Sequence, residues 1–327
     1  MLFSDYMNDW LYAPDGYYAV YREIGKRGDF YTSVSASRFF GGAIANHLVG
    51  RIRSGRISRD ALICEIGAHR GYLLGDIVSF IRDLEPGLLE TLRFGIVEKF
   101  EALKKVQREY LTDRFDEKIR LNFYTSLEEI REGSGFVVAN EIFDAFPCAL
   151  IRNGQEAHIT DHRIEWIDGI NVKTAAIADR YGIREGEIAT GYEQFSTSLF
   201  NAFERCEFIT FDYGDMKPRE GFSIRVYSSH GVKFLFDVDL KESQKKSDIT
   251  YDVHFGHLVD AFREAGFKYE AYRTQMNALT DFGIAELIER EQANVTEDAY
   301  LKIVNGVKIL LHPSFMGERF KMVSFVK

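Results

Sequence analysis

The chain has 327 residues, with 41 lysines and arginines against 50 aspartates and glutamates, so its formal net charge is −9. That balance excludes a general nucleic-acid binder, whose affinity for a phosphate backbone needs clustered positive charge. With 46% hydrophobic and 28% charged residues the chain can bury a sizeable core, which excludes a disordered or collagen-like protein and leaves two domains or one elaborated α/β unit.

Residues 1–42 are dense in Tyr, Phe and Gly without sustained periodicity and read as ordered loop. A helix is expected from Ser37 to Arg53, stopped by Ser54-Gly55. From Ala61 the pattern becomes strand, turn, helix. Ala61 to Gly67 is a short apolar strand, and Leu73, Leu74, Ile77, Val78, Ile81 and Leu84 recur at helical spacing until Pro86-Gly87. Arg93 to Glu98 is a second strand, with a helix marked by Phe100, Leu103, Val106, Gln107 and Tyr110 behind it. Ile119 to Tyr124 is a third strand. Phe136 to Glu141 is a fourth, apolar without alternation and therefore buried on both faces. Such alternation predicts a parallel sheet with helices on both sides.

After Pro147 the stretches Ala149–Arg152 and Gln155–Trp166 read as a hairpin or meander turning at Asn153-Gly154. A helix near Gln194 to Glu204, the strand Cys206 to Asp212 and a helix from Val253 to Ala265 resume the α/β pattern; Met276 to Leu311 is mostly helical and Arg319 to Val326 a last strand. Apolar runs such as Phe136–Ala139 and Ile309–Leu311 fall far short of the roughly 20 residues a membrane helix needs, so no membrane insertion is expected. The N-terminus lacks the features of a signal or transit peptide, which makes the cytoplasm the default location. Cys64, Cys148 and Cys206 are widely spaced among apolar residues and are expected buried and reduced. No metal site is expected: His254 and His257 have chelating spacing but no third ligand is evident.

The first strand runs into Glu65-Ile66-Gly67-Ala68-His69-Arg70-Gly71, and Asp76 lies in the early turns of the next helix. A glycine turn at the carboxyl end of a parallel strand exposes backbone N–H groups to a ligand, and the following helix dipole favours negative charge there. Glycines at 67, 71 and 75 do not match the nicotinamide fingerprint G-x-G-x-x-G. Glu98 ends the second strand, where a carboxylate can accept both hydroxyls of a ribose or can cap the following helix.

Gly28-Asp29-Phe30-Tyr31-Thr32-Ser33, Glu65-Ile66-Gly67, Glu98 with Leu103 and Gln107, and Asn140-Glu141-Ile142-Phe143-Asp144-Ala145-Phe146-Pro147 together resemble the MidA family of class I S-adenosylmethionine-dependent methyltransferases. Phe211-Asp212-Tyr213-Gly214, Arg225-Val226-Tyr227 with His230, Asp248-Ile249-Thr250 and Met316 to Phe320 extend the match over nearly the whole chain. The resemblance implies an α/β fold with a Rossmann-like class I methyltransferase sheet and S-adenosyl-L-methionine as cofactor. In mitochondrial relatives it implies arginine methylation of a respiratory complex I subunit during assembly. Residues 1–60 are then a loop and helix packed on the core, 61–150 with 206–327 the methyltransferase core, and 151–205 an inserted substrate or cap region. The family's loop is usually E-x-G-x-G-x-G, and here His69 stands at the middle glycine.

The cofactor-binding set read in this way is Glu65, Gly67, Ala68, Gly71, Asp76 and Glu98 with Gly28, Asp29, Thr32 and Ser33. If the acceptor is arginine, carboxylates must orient the guanidinium and take its proton. Glu141 and Asp144, three residues apart after a buried strand, are the candidates, with Asn140 beside them as a hydrogen-bonding amide or an Asx turn. The expected partner is a protein substrate such as a respiratory complex subunit. A non-catalytic assembly factor, suggested by His69, and a small-molecule methyltransferase are the alternatives.

Overall fold

Period-two alternation along the central strands supplies two hydrophobic layers from one sheet. The computed structural model describes residues 1–22, 32–115, 119–228 and 231–327. The chain opens with α1 (Phe3–Tyr12), α2 (Ser33–Ala36) and α3 (Phe39–Arg53). Next come β1 (Leu62–Ile66), α4 (Tyr72–Leu84), β2 (Arg93–Val97), α5 (Glu101–Phe115), β3 (Leu121–Tyr124) and β4 (Glu132–Asn140). An excursion of β5 (Cys148–Arg152), β6 (Gln155–Thr160), β7 (Arg163–Asp168), α6 (Val172–Tyr181), β8 (Glu185–Ala189) and α7 (Tyr192–Ala202) returns through β9 (Phe203–Asp215). The remainder is β10 (Arg225–Ser228), β11 (Gly231–Phe234), α8 (Leu240–Ser243), β12 (Asp248–Thr250), β13 (Val253–His254) and α9 (Phe255–Ala265), followed by β14 (Lys268–Thr274), α10 (Gln275–Asp281), α11 (Ile284–Gln292), α12 (Glu297–Leu311) and β15 (Phe320–Val326).

Among the described residues the main sheet runs β14-β15-β9-β4-β1-β2-β3, with β13 beside β9. Strands β3, β2, β1, β4 and β9 are parallel. The expected parallel sheet is mixed at one edge: the chain leaves β14, passes through three helices and enters β15 at the same end, so that β15 runs antiparallel to both neighbours. In β4, Val137 and Ala139 face one core while Phe136 and Val138 face the other. The first core takes Trp10 of α1 and Phe262 of α9; the second takes α3, α4 and Leu310 of α12. Two glycines let α3 approach α4: a Cβ on Gly41 would stand 2.7 Å from Asp76 Cβ, and one on Gly42 the same distance from the Phe80 ring.

One expectation is corrected. Residues 1–42 are not all loop, because Phe3, Tyr6, Met7, Trp10 and Leu11 fall on one helical face and are buried together. The excursion after Pro147 is the expected meander, β5-β6-β7 turning at Asn153 and Gly154, both with positive φ, which β8 extends to a separate four-stranded sheet, β7-β6-β5-β8. It packs on α1 through residues such as Leu150, Ala157 and Ile159, away from the crevice. The crevice itself opens beyond the carboxyl ends of β1 and β4, where strand order reverses and α/β sheets bind their ligands.

Candidate active site

A cavity of about 1110 Å³ occupies this crevice. Its floor is Glu65, Gly67, Ala68, Glu98, Asn140, Glu141 and Asp144, and Thr32 borders it. Gly67 has φ +71°, and a Cβ there would meet Ile142 Cγ2 at 2.8 Å, so the turn is tight and only glycine fits it. His69 follows with φ +48°, a left-handed conformation that histidine tolerates better than branched residues. Glu65 accepts the Leu74 N–H in the first turn of α4 at 2.9 Å, and burial pushes its carboxyl up to about 8.

Glu98 takes the capping role weighed from the sequence and stays at the cavity. Its Oε1 accepts the Phe100 N–H at 2.9 Å at the start of α5, and its Oε2 accepts Gln107 Nε2 at 3.2 Å, while the residue still borders the cavity. Burial raises this carboxyl too. Asn140 donates to Glu141 Oε1 at 2.9 Å, and its own Oδ1 is buried without a partner among the described residues, so its amide is not spent on an Asx turn. A buried orphan acceptor is costly unless a ligand N–H or ammonium meets it.

Glu141 has φ +53°, which turns the chain sharply at the end of β4. Ser33 N–H reaches its Oε1 at 3.4 Å, and burial, with the Asp144 charge adding to it, pushes the Glu141 carboxyl up to about 8. Asp144 sits in the single turn Phe143–Ala145 and receives the Tyr213 hydroxyl at Oδ2, 2.6 Å away. Beneath them the fully buried Asp212 accepts the Phe143 N–H at 3.0 Å and the Asp144 N–H at 3.3 Å and so holds the turn. Desolvation holds both aspartates above the usual carboxylate range.

The structure brings most, not all, of the expected residues to the cavity. Ser33 stands behind the lining, its hydroxyl donating to Gln275 Oε1 at 2.9 Å. Gly71, at φ +85°, caps α4 outside the lining. Asp76 points away to Arg114, 2.9 Å distant on α5, because the helix has turned past the crevice by that position. Gly28, Asp29 and His230 lie outside the described residues. None of residues 151–205 lines the cavity, so the expected substrate or cap region does not frame it; the wall comes instead from the N-terminal segment, β10–β12 and the stretch after α12. Tyr12, Tyr18, Asp248 and Arg319 are lining residues to which the sequence reading assigned no role. Tyr18 donates to Asp248 Oδ1 at 2.7 Å, and the Tyr12 hydroxyl donates to the Ala145 carbonyl at 3.0 Å. Among the described residues no group of three His, Cys, Asp or Glu could hold a metal; His257 pairs with Glu193 at 2.7 Å.

Residues 43–273 match the family model described as "Putative S-adenosyl-L-methionine-dependent methyltransferase". The chain belongs to this family. It is 24% identical to the Xenopus tropicalis mitochondrial protein arginine methyltransferase NDUFAF7, over 99% of this chain and 81% of that protein. It is 28% identical to the bovine protein of the same name, over 99% and 79%. A Burkholderia thailandensis COG1565 superfamily member, solved bound to S-adenosyl-homocysteine, superposes with a TM-score of 0.85 at 25% identity, covering 100% of this chain and 88% of that one. The protein is an S-adenosylmethionine-dependent methyltransferase with the class I sheet.

The residues present fit that cofactor. Glu98 would take the ribose hydroxyls, the Gly67–Gly71 turn would face the amino-acid end, and the orphaned Asn140 Oδ1 would accept an N–H from it. His69 does not fill the cavity, since its ring turns onto Tyr21.

Proposed function

We propose that this methyltransferase acts on an arginine side chain of a protein, in the manner named for its NDUFAF7 relatives. The observation that carries the reading is the pair Glu141 and Asp144, two carboxylates lining the cavity, the Asp144 charge adding to the burial that raises the Glu141 carboxyl. A guanidinium is the acceptor such a pair suits, because it offers a planar fork of donors and remains cationic where a lysine could arrive neutral. The bound cofactor supplies an electrophilic methyl group on a sulfonium.

The chain's own work is to orient the acceptor nitrogen, exclude water and take one proton. Tyr213 fixes Asp144 by its hydroxyl, and the carboxylate so oriented holds the guanidinium. Glu141, ionised once the cationic acceptor and cofactor stand beside it, takes the proton that the methylated nitrogen loses, its raised carboxyl making it the stronger base. Asp248, tied to Tyr18, adds negative charge on the adjoining wall. A respiratory complex subunit is the acceptor protein proposed, and the cytoplasm, where the unpaired Cys64, Cys148 and Cys206 stay reduced, is the proposed location.

Labelled-methyl transfer into a lysate lacking the protein tests the reading. The expected outcome is label on an arginine of one or a few proteins with wild type, and at least a hundredfold less with Glu141→Gln, although that variant still binds S-adenosylhomocysteine in calorimetry. Label confined to small molecules or to another residue type would overturn the arginine assignment.

A further inference from the structure

His69 occupies the place of a glycine in the cofactor loop, and its side chain has a definite use. The ring nitrogen Nε2 lies 2.6 Å from the Arg22 carbonyl oxygen, so it carries the proton and donates. The ring also stacks on Tyr21, with centroids 5.0 Å apart and planes at 28°. Burial lowers the imidazole's affinity for a second proton, so at neutral pH the group is an uncharged donor beside a site built for a cation. The next residue repeats the connection: Arg70 Nη1 is 3.4 Å from the Tyr21 hydroxyl. On the other side, the His69 carbonyl accepts Gln107 Nε2 at 3.0 Å, and the same amide nitrogen reaches Glu98 Oε2.

The segment so held is not incidental to the site. Tyr17, Tyr18, Val20 and Arg22 line the cavity together with Gly67, Ala68 and His69 of the glycine turn. Arg22 is further fixed by its guanidinium over the Tyr17 ring, 4.6 Å from the centroid, and by a bond to the Lys245 carbonyl at 3.5 Å. Between these anchors and the loop, the contacts through His69 and Tyr21 close the N-terminal segment onto the cofactor loop.

We infer that His69 is a positioning residue that clasps residues 17–22 over the cofactor cavity and slows cofactor release. A glycine there could make the turn and could not make the clasp. The backbone strain of a left-handed histidine is the counterpart of that gain.

The test uses S-adenosylhomocysteine binding to the full chain, with affinity and dissociation rate measured alongside unfolding of the unliganded protein. His69→Gly and His69→Ala should each weaken binding roughly tenfold, through faster dissociation. The Tm of unliganded His69→Gly should stay within about 2 °C of wild type, since only a local contact is lost. Tyr21→Ala should weaken binding to a similar extent, and the Tyr21→Ala, His69→Gly double variant should lose little more than either single one, because both undo the same clasp. Binding by His69→Gly as tight as wild type would overturn the inference, and so would losses that multiply in the double variant. A fall of the unliganded Tm by many degrees together with the affinity would also overturn it, by showing a role in folding alone. If His69→Ala does not fold, the glycine and Tyr21 variants carry the test.

Discussion

At the scale of single residues the site is a set of buried carboxylates, each held by backbone or side-chain donors. Glu98 shows how one side chain serves fold and function together. Its Oε1 satisfies an N–H at the start of α5 while the residue faces the cavity. Glu98→Ala should therefore do two separable things. Losing a charged hydrogen-bond acceptor should weaken S-adenosylhomocysteine binding roughly 10- to 100-fold. Losing a helix-end acceptor should lower stability by about 1 kcal/mol. Calorimetry and denaturant unfolding of the unliganded protein measure the two effects independently, and Glu98→Gln, which keeps an acceptor oxygen, should recover most of the stability. Glu141 stands differently. Its φ of +53° and raised carboxyl mark a position where function is kept against both backbone and desolvation preferences.

At the scale of elements, α1 is the piece that ties the N-terminal segment to the site. Trp10 is fully buried, and its indole N–H donates to the Ser247 carbonyl at 2.6 Å, one residue before β12 and Asp248. Trp10→Ala should destabilise the protein by about 3–5 kcal/mol, read as a lower urea midpoint, and should weaken S-adenosylhomocysteine binding because Asp248 and Tyr18 lose their common support. The elements from β1 to β4 were legible because their periods are distinct and glycine or proline punctuates them. Helix α1 was not, because its apolar face is carried by aromatics in a stretch also rich in turn residues. Strand β14 was not either: Lys268, Glu270 and Arg273 interrupt it, as suits an edge strand. The site divides in the same way. Glu65, Glu98, Asn140, Glu141 and Asp144 were legible since each stands at the carboxyl end of a parallel strand. Tyr18 and Asp248 meet across 230 positions of chain, and no local signal says that either segment returns to the crevice. Asp76 misled for a local reason, since one turn of helix decides whether a side chain faces the ligand or Arg114.

At the scale of the molecule, the net charge of −9 finds a local expression in a crevice whose acids are held partly protonated. Glu65 and Glu141, both near 8, bind protons in the folded chain at a pH where the unfolded chain has released them. Folded protein then holds more protons than unfolded protein from about pH 4.5 to pH 8, so stability falls as pH rises through that range. His254 works in the opposite sense, because burial holds its imidazole near 4 and its unfolded form takes up a proton below about 6.5. Above pH 6.5 the His254 contribution is spent and the carboxylates decide the slope. The Tm of the unliganded protein should drop by about 5 °C between pH 6.5 and 8.5, and Glu65→Gln and Glu141→Gln should each flatten the decline. A cationic ligand stabilises the ionised carboxylates, so S-adenosylmethionine should gain affinity relative to the uncharged-sulfur product S-adenosylhomocysteine over the same interval. Thermal unfolding across pH, with and without each ligand, reads both effects. A flat profile for wild type, or a ratio of the two affinities that does not change with pH, would mean that Glu65 and Glu141 are already ionised in the empty crevice.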